Sequence, residues 1–336
     1  MSWTRPLAKW LLLLLALLLL PACSGPQSAL DPAGPSALAI AWLWWGMFAA
    51  FGLVFVGVVA LWLYALARKT GGMGDKRARQ ISQRWIIGGG IILPSVSIVV
   101  LLLFGIPAGR SMLPLSTENG SPLTIRVIGH QWWWEIHYPD AGVVTANELV
   151  MPAGEAVDFH LSSLDVIHSF WIPRLGGKLD VLPGRTNVLR LEASQPGSFR
   201  GQCAEFCGWG HAHMVLPVQA RSRADFEAWL RARQQPVELN AEHQAGAAAF
   251  QEHCGHCHRV NGVTNGGVAP DLSSVGARPV VGGISRRDDN GIAYWLRHHR
   301  TPEHDQHASA AFPDHSVMAP QHLDAIAAWL ETLGND

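Results

Sequence analysis

Two stretches without any charged residue, Leu38 to Ala67 and Trp85 to Ala108, dominate the first third of the chain. At ~1.5 Å rise per residue, each is long enough to cross a bilayer as a helix. The connector between them, "RKTGGMGDKRARQISQR", sets Arg68, Lys69, Lys76, Arg77, Arg79 and Arg84 against Asp75 alone. The positive-inside rule puts this connector in the cytoplasm and both flanks on the outer side. The pattern thus predicts a transmembrane helical hairpin over 37–110. Gly88, Gly89, Gly90 and Pro94 fall inside its second half. Spanning helices tolerate such residues when they pack against other helices, which implies a larger membrane partner.

A shorter apolar run, Trp10 to Leu20, follows Arg5 and Lys9. It is too short to span and has the form of a signal peptide over 1–22. It ends at "LPAC", which resembles a bacterial lipoprotein cleavage box with Cys23 as the lipidated residue. Ordinary cleavage and an uncleaved anchor are the competing readings.

Beyond Arg110 the period changes. "LTIRVIGHQWWWEIHYP", "AVDFHLSS", "TNVLRLEA", "GSFRGQC" and "MVLPVQARS" are short β-branched or aromatic runs separated by Gly, Pro and Asn. Many short strands at this spacing predict a β-sandwich or small barrel over 120–222. A polar, Ala-rich helix from Asp225 to Gln234 and a linker "QQPVEL" follow. From 236 to 336 the pattern is helical again, in "AEHQAGAAAFQEHC", "GIAYWLRHHR" and "QHLDAIAAWLETLG". About 100 residues of short helices and long loops make a thin core, which predicts folding around a bound group. The fold class is therefore multidomain: a two-helix membrane hairpin, a β-sandwich and an all-α domain.

Charge removes one class of function. The net charge is −1 and charged residues make up only 15%, so no basic field argues for nucleic acid. Fifteen tryptophans point toward a membrane or an aromatic-rich surface.

The densest chemistry lies in "GQCAEFCGWGHAHM". Cys203 and Cys207 are four apart, so one loop can aim two thiolates at one point, and two thiolates can bridge two copper ions. His211 and Met214 continue the series as C-x-x-x-C-x-x-x-H-x-x-M. Soft sulfur with imidazole and a weak methionine marks copper electron-transfer sites on β scaffolds. A second imidazole must come from elsewhere, and His168 in "LDVIHSFWIP" is the candidate. A structural disulfide, a zinc site and a copper-chaperone thiol pair each explain part of the spacing.

This stretch, with "VIGHQWWWEIHYP" and "DVIHSFWIPRLGGKLDVLPGRTN", resembles subunit II of haem–copper cytochrome c oxidases. The resemblance covers the hairpin and the β domain in order. It implies a cupredoxin-like β-sandwich carrying the binuclear copper centre CuA. The implied ligands are His168, Cys203, Cys207, His211, Met214 and the backbone carbonyl of Glu205. His213 falls outside the ligand spacing. It also implies a magnesium ion, shared with subunit I, reached by the Glu205 side chain, and makes Trp132 of "QWWWE" the residue through which electrons come in. Alternation along a strand puts at least one of the three tryptophans in the core or against the membrane. The family's glutamate near the start of the second span, which serves a proton path, has no counterpart in "QISQRWIIGGG".

A second cofactor is written in "HCGHCHRV". Cys254-x-x-Cys257-His258 is the attachment motif of a c-type haem: two thioethers and a proximal iron ligand. The motif reads as part of a helix. A redox or zinc C-x-x-C is the rival, opposed by the adjacent histidine and the exported location. A methionine as distal ligand raises the potential of such haems, and Met318 alone lies downstream. The segment resembles class I cytochromes c, except that Ala319 separates Met318 from Pro320. His298, His299, His304, His307 and His315 are rivals for that place. "GGVAPDL" resembles the loop whose proline carbonyl orients the proximal histidine, here Pro270. All five cysteines then have uses: one lipid, two copper, two haem.

The resemblance implies a subunit of a bacterial respiratory cytochrome c oxidase in the inner membrane, its soluble domains on the periplasmic side. It would receive electrons from cytochrome c or another respiratory donor, and its partners would be subunits I and III. The alternatives are a copper-delivery module, a quinol oxidase subunit II and the copper domain of another respiratory reductase such as nitrous oxide reductase.

Overall fold

The computed structural model describes residues 24–68, 74–110, 112–115, 122–282, 284–285, 291–298 and 318–334. The signal-peptide segment 1–22 and Cys23 lie outside these. Helix α1 (Pro35–Ala67) opens with proline at its first position, where the missing N–H would have had no intrahelical partner anyway. Helix α2 (Asp75–Arg110) runs back beside it. Both are long and apolar enough to cross a membrane. Most of their large side chains point outward, as a lipid solvent permits. Within α2, Gly88–Ile92 widens into a π turn in which the Leu93 N–H bonds to Gly88 O. Pro94 lies two residues after it, and its ring would crowd the carbonyl four residues back, at Gly90.

The β domain is a sandwich of two five-stranded sheets. One orders β3 (Val143–Ala146), β2 (Trp133–Tyr138), β1 (Leu123–His130), β5 (Val157–Ser163) and β8 (Asn187–Leu191). The other orders β4 (Leu149–Pro152), β10 (Val215–Arg221), β9 (Gly197–Cys203), β6 (His168–Trp171) and β7 (Leu179–Val181). Strand β1 pairs parallel to β5, and β4 parallel to β10; the other pairings are antiparallel. Alternation seats Ile125, Val127, Trp134, Ile136, Phe159, Leu161 and Phe170 in one core between the sheets. Of the three adjacent tryptophans, Trp134 is that core residue, while Trp132 and Trp133 are half-buried.

The hairpin is fastened to the sandwich. Ala33 N–H donates to Arg174 O (2.7 Å), Ala37 N–H to Leu175 O (3.2 Å) and Arg190 N–H to Met112 O (3.1 Å). Arg174 also pairs with Asp31 at 3.0 Å. These bonds fix the sandwich at the outer end of the two helices.

Helix α3 (Arg223–Gln234) starts two residues earlier than its periodicity suggests, because Ser222 caps it by accepting from Asp225 N–H. It buries Phe226 and Trp229 against the sandwich. The last domain has its own core, built on α4 (Gln244–His253), α5 (Gly291–His298) and α6 (Pro320–Glu331) around Phe250, Ile292, Ile326, Trp329 and Leu330. The attachment motif does not sit inside a helix: α4 ends at His253 and Cys254 to Cys257 form turns.

Candidate copper site and haem pocket

Strand β6 delivers His168 fully buried, and β9 ends on Cys203. The loop after β9 carries Cys207 and a short 3-10 helix, Trp209–His213, before Met214 leads into β10. Cys203 Sγ lies 3.9 Å from His168 Nδ1 and 3.9 Å from Cys207 Sγ. Cys207 Sγ lies 3.6 Å from His211 Nδ1 and 3.9 Å from Met214 Sδ. Cys203 Sγ contacts Glu205 O at 3.2 Å. Five side chains and one carbonyl thus converge, with a histidine facing each sulfur. His213 is exposed.

The pair is not a disulfide, since 3.9 Å is far beyond an S–S bond of ~2.05 Å. Contact between the two sulfurs lowers the pKa of Cys203 and raises that of Cys207, so one proton is shared and one thiolate is favoured. Burial alone would lower the His168 pKa, but hydrogen bonds to Asp165 and Cys203 outweigh it and lift it to about 9. Two thiolates, two imidazoles and a thioether make a soft donor set that suits copper better than zinc.

Around this core, the Gln131 side chain (2.8 Å) and the Trp132 indole N–H (3.1 Å) both donate to Cys207 O. Trp132 therefore packs directly on the ligand loop. Gly210 has its Cα face against that indole; a Cβ there would come within 2.5–2.8 Å of ring atoms. The Glu205 carboxylate is exposed and lies 3.9 Å from Lys178 Nζ. Asp165 was not foreseen from the pattern. It binds His168 Nε2 (2.8 Å) and accepts from Gln131 N–H (2.6 Å) and Val166 N–H (2.6 Å). A lone acid three residues before a buried histidine was the available signal.

In the last domain His258 Nδ1 donates to Pro270 O at 2.8 Å, which fixes the tautomer and leaves Nε2 as the nitrogen that could hold a metal. Burial lowers the His258 pKa, keeping the ring neutral as a ligand requires. Cys254 and Cys257 are unlinked, and burial pushes the Cys254 thiol up to about 11. Gly266 lies so close to Cys257 and His258 that a Cβ would overlap their backbone. Met318 packs against the same core, one residue before the Ala319 cap of α6. His299, His304, His307 and His315 lie outside the described residues, as does the side chain of His298.

A soft-donor, copper-type site on a cupredoxin-like sandwich, a Cys-x-x-Cys-His motif with an aimed histidine in a second domain and a pair of long apolar helices define a class: membrane-anchored redox subunits. Residues 142–221 match the family "cytochrome c oxidase subunit II, periplasmic domain", and 243–334 match "cytochrome c". The chain is 31% identical to cytochrome c oxidase subunit 2 of Alkalihalophilus pseudofirmus, over 99% of each chain. It is 30% identical to quinol oxidase subunit 2 of Bacillus anthracis, over 67% of this chain and 79% of that one. Among solved structures, the periplasmic domain of cytochrome oxidase subunit II from Bradyrhizobium japonicum is 30% identical, covering 36% of this chain and 96% of that one (TM-score 0.34). This chain belongs to the cytochrome c oxidase subunit 2 family and carries a fused cytochrome c domain.

Proposed function

We propose that the chain receives electrons at a c-type haem and passes them through a two-copper CuA centre to subunit I of a terminal oxidase, where oxygen is reduced to water. The convergence of His168, Cys203, Cys207, His211 and Met214 in steps of 3.6–3.9 Å carries this reading. A quinol oxidase subunit has no use for that donor set, and a delivery module would hold one copper.

Copper and haem iron supply the one-electron chemistry when bound; the protein's residues hold, orient and shield them. Cys203, Cys207, His168, His211, Met214 and Glu205 O would hold the metal pair, the two thiolates and two imidazoles supplying its soft donors. His168 is aimed by Asp165. Cys254 and Cys257 would anchor the haem, and His258, aimed by Pro270, would hold its iron together with Met318. Trp132 is the point at which electrons reach the copper loop, being hydrogen-bonded to Cys207 O. Leu164, Phe206 and Trp209 form an exposed apolar rim beside it, of the kind that marks a partner surface. The exposed Glu205 carboxylate, which lies 3.9 Å from Lys178 Nζ, would reach a magnesium ion at the subunit I boundary. Subunit III and an external cytochrome c or other respiratory donor complete the assembly, which sits in the inner membrane with both soluble domains in the periplasm.

The test is metal analysis and electron paramagnetic resonance on the purified full chain. Two coppers per chain, with one unpaired electron shared equally between them, is the expected result. A single copper, or zinc, overturns the reading.

A further inference from the structure

The haem domain does not hang on a loose linker. Its Asn261 side chain donates to the carbonyls of Arg233 (3.4 Å), Gln234 (3.2 Å) and Gln235 (2.8 Å). Those carbonyls close α3, and the last carbonyls of a helix have no partner within it. The haem domain thus caps the helix that packs on the copper domain. Asn261 O in turn accepts from Val237 N–H at 2.9 Å, pinning the chain just past the helix. On the sandwich side, Gln234 donates to Ala141 O at 2.8 Å.

A second contact lies across the seam. Glu148, between β3 and β4, is only 5% exposed, and its Oε2 accepts from Ser274 Oγ of the haem domain at 3.1 Å. Its other oxygen is 3.9 Å from Arg233. A carboxylate is seldom buried without partners, and this one takes them from both the haem domain and α3.

The contacts also connect to both candidate pockets through short runs of bonded residues. Ser274 is four residues after Pro270, whose carbonyl holds His258. Glu148 follows Asn147, which brackets Trp134 by two hydrogen bonds: Trp134 N–H to Asn147 Oδ1 (2.8 Å) and Asn147 N–H to Trp134 O (2.9 Å). The Trp134 ring is 6.0 Å from the His168 ring.

We infer that Glu148 and Asn261 lock the haem domain onto the copper domain in one fixed pose, and that this docked pose is the one in which electrons pass between them. Both are positioning residues that touch neither cofactor. The inference rests on the haem-to-copper reading above. It replaces a tethered search at roughly millimolar effective concentration with a permanent contact.

The test uses the full chain in detergent with both cofactors loaded. Absorption and paramagnetic spectra are recorded first; absence of either signal from the unaltered chain counts against the cofactor reading itself, not the dock. Haem-to-copper electron transfer is then followed after flash reduction of the haem, with hydrogen exchange read over 141–148 and 259–274. Glu148→Ala and Asn261→Ala should each slow transfer at least tenfold and raise exchange at the seam, with both spectra unchanged. Glu148→Gln, which can still accept from Ser274, should recover most of the rate. Unchanged or faster transfer in a spectrally intact Glu148→Ala or Asn261→Ala chain overturns the inference. If one variant does not fold, the other carries the test.

Discussion

His168 shows how one residue's chemistry depends on its neighbours. Its Nδ1 faces Cys203 while its Nε2 is held by Asp165, which also grips the β1–β2 loop through Gln131 N–H. Partners of this kind are worth ~10–100-fold in metal affinity. Asp165→Asn should therefore lower copper retention by about that factor in competition with a chelator, without loss of the fold by circular dichroism. Glu135 offers a separate, pH-linked prediction. Burial would raise its pKa, but hydrogen bonds from His130 (2.8 Å) and His137 (2.6 Å) outweigh this and hold it at about 2 rather than 4.5. A depressed carboxylate stabilises the fold fully above its unfolded value, and that stabilisation fades as the pH falls through its folded one. The stability gap between the native chain and Glu135→Gln should be widest at neutral pH. It should close between about 4.5 and about 2. Denaturant melts across that range measure it, and a gap that is constant with pH would count against the assignment.

At the scale of elements, the loop between β9 and β10 depends on close approach as well as on ligands. Gly208 has φ +114, which disfavours any side chain, and Gly210 leaves room for Trp132 alone. Gly210→Ala should push the indole off Cys207 O, at an overpacking cost of about 1–3 kcal/mol. Slower electron acceptance with two coppers still bound is the expected result, read by stopped-flow reduction. Strands β1, β2, β5, β8, β9 and β10, the two spans and the spacing of Cys203, Cys207, His211 and Met214 could be read from the chain, because period and ligand spacing are local properties; β3, β4, β6 and β7, three or four residues each, are too short to carry a period. His168 could be read only through the loop's lack of a second imidazole, since a histidine of this kind taken alone is more often a satisfied buried one; it opens β6. The π turn at Gly88–Ile92 could not, although its glycines and Pro94 were visible, because a widened turn has no period of its own. Neither could the caps and brackets formed by Asp165, Asn147 and Asn261. Each is a polar side chain whose partner is fixed by the fold rather than by its neighbours in sequence. The attachment motif was misplaced onto a helix for the opposite reason: "AAAFQEHC" continues a helical pattern that the backbone abandons at Cys254 in favour of turns.

At the scale of the molecule, two cores share one chain without merging. The sandwich core runs from Ile125 to Trp229, and the haem-domain core from Ala247 to Leu333. Among the described residues, the side-chain hydrogen bonds that join them are polar and few: Asn261 on three carbonyls and Glu148 on Ser274. Contacts of that kind can set a pose, but they remove too little apolar surface from water to make one cooperative unit. Stability should then respond to each cofactor separately. Copper held by the folded sandwich alone would stabilise that domain by RT ln(1 + [L]/Kd), about 4 kcal/mol at a thousandfold excess over Kd. For a domain of roughly 100 residues this corresponds to a shift of well over 10 °C in its midpoint. Stripping copper with a chelator should lower the melting of the sandwich by that order. The haem-domain transition, followed by haem absorbance, should move by no more than a degree or two. Movement of both transitions together would show that the seam carries far more energy than its few hydrogen bonds supply.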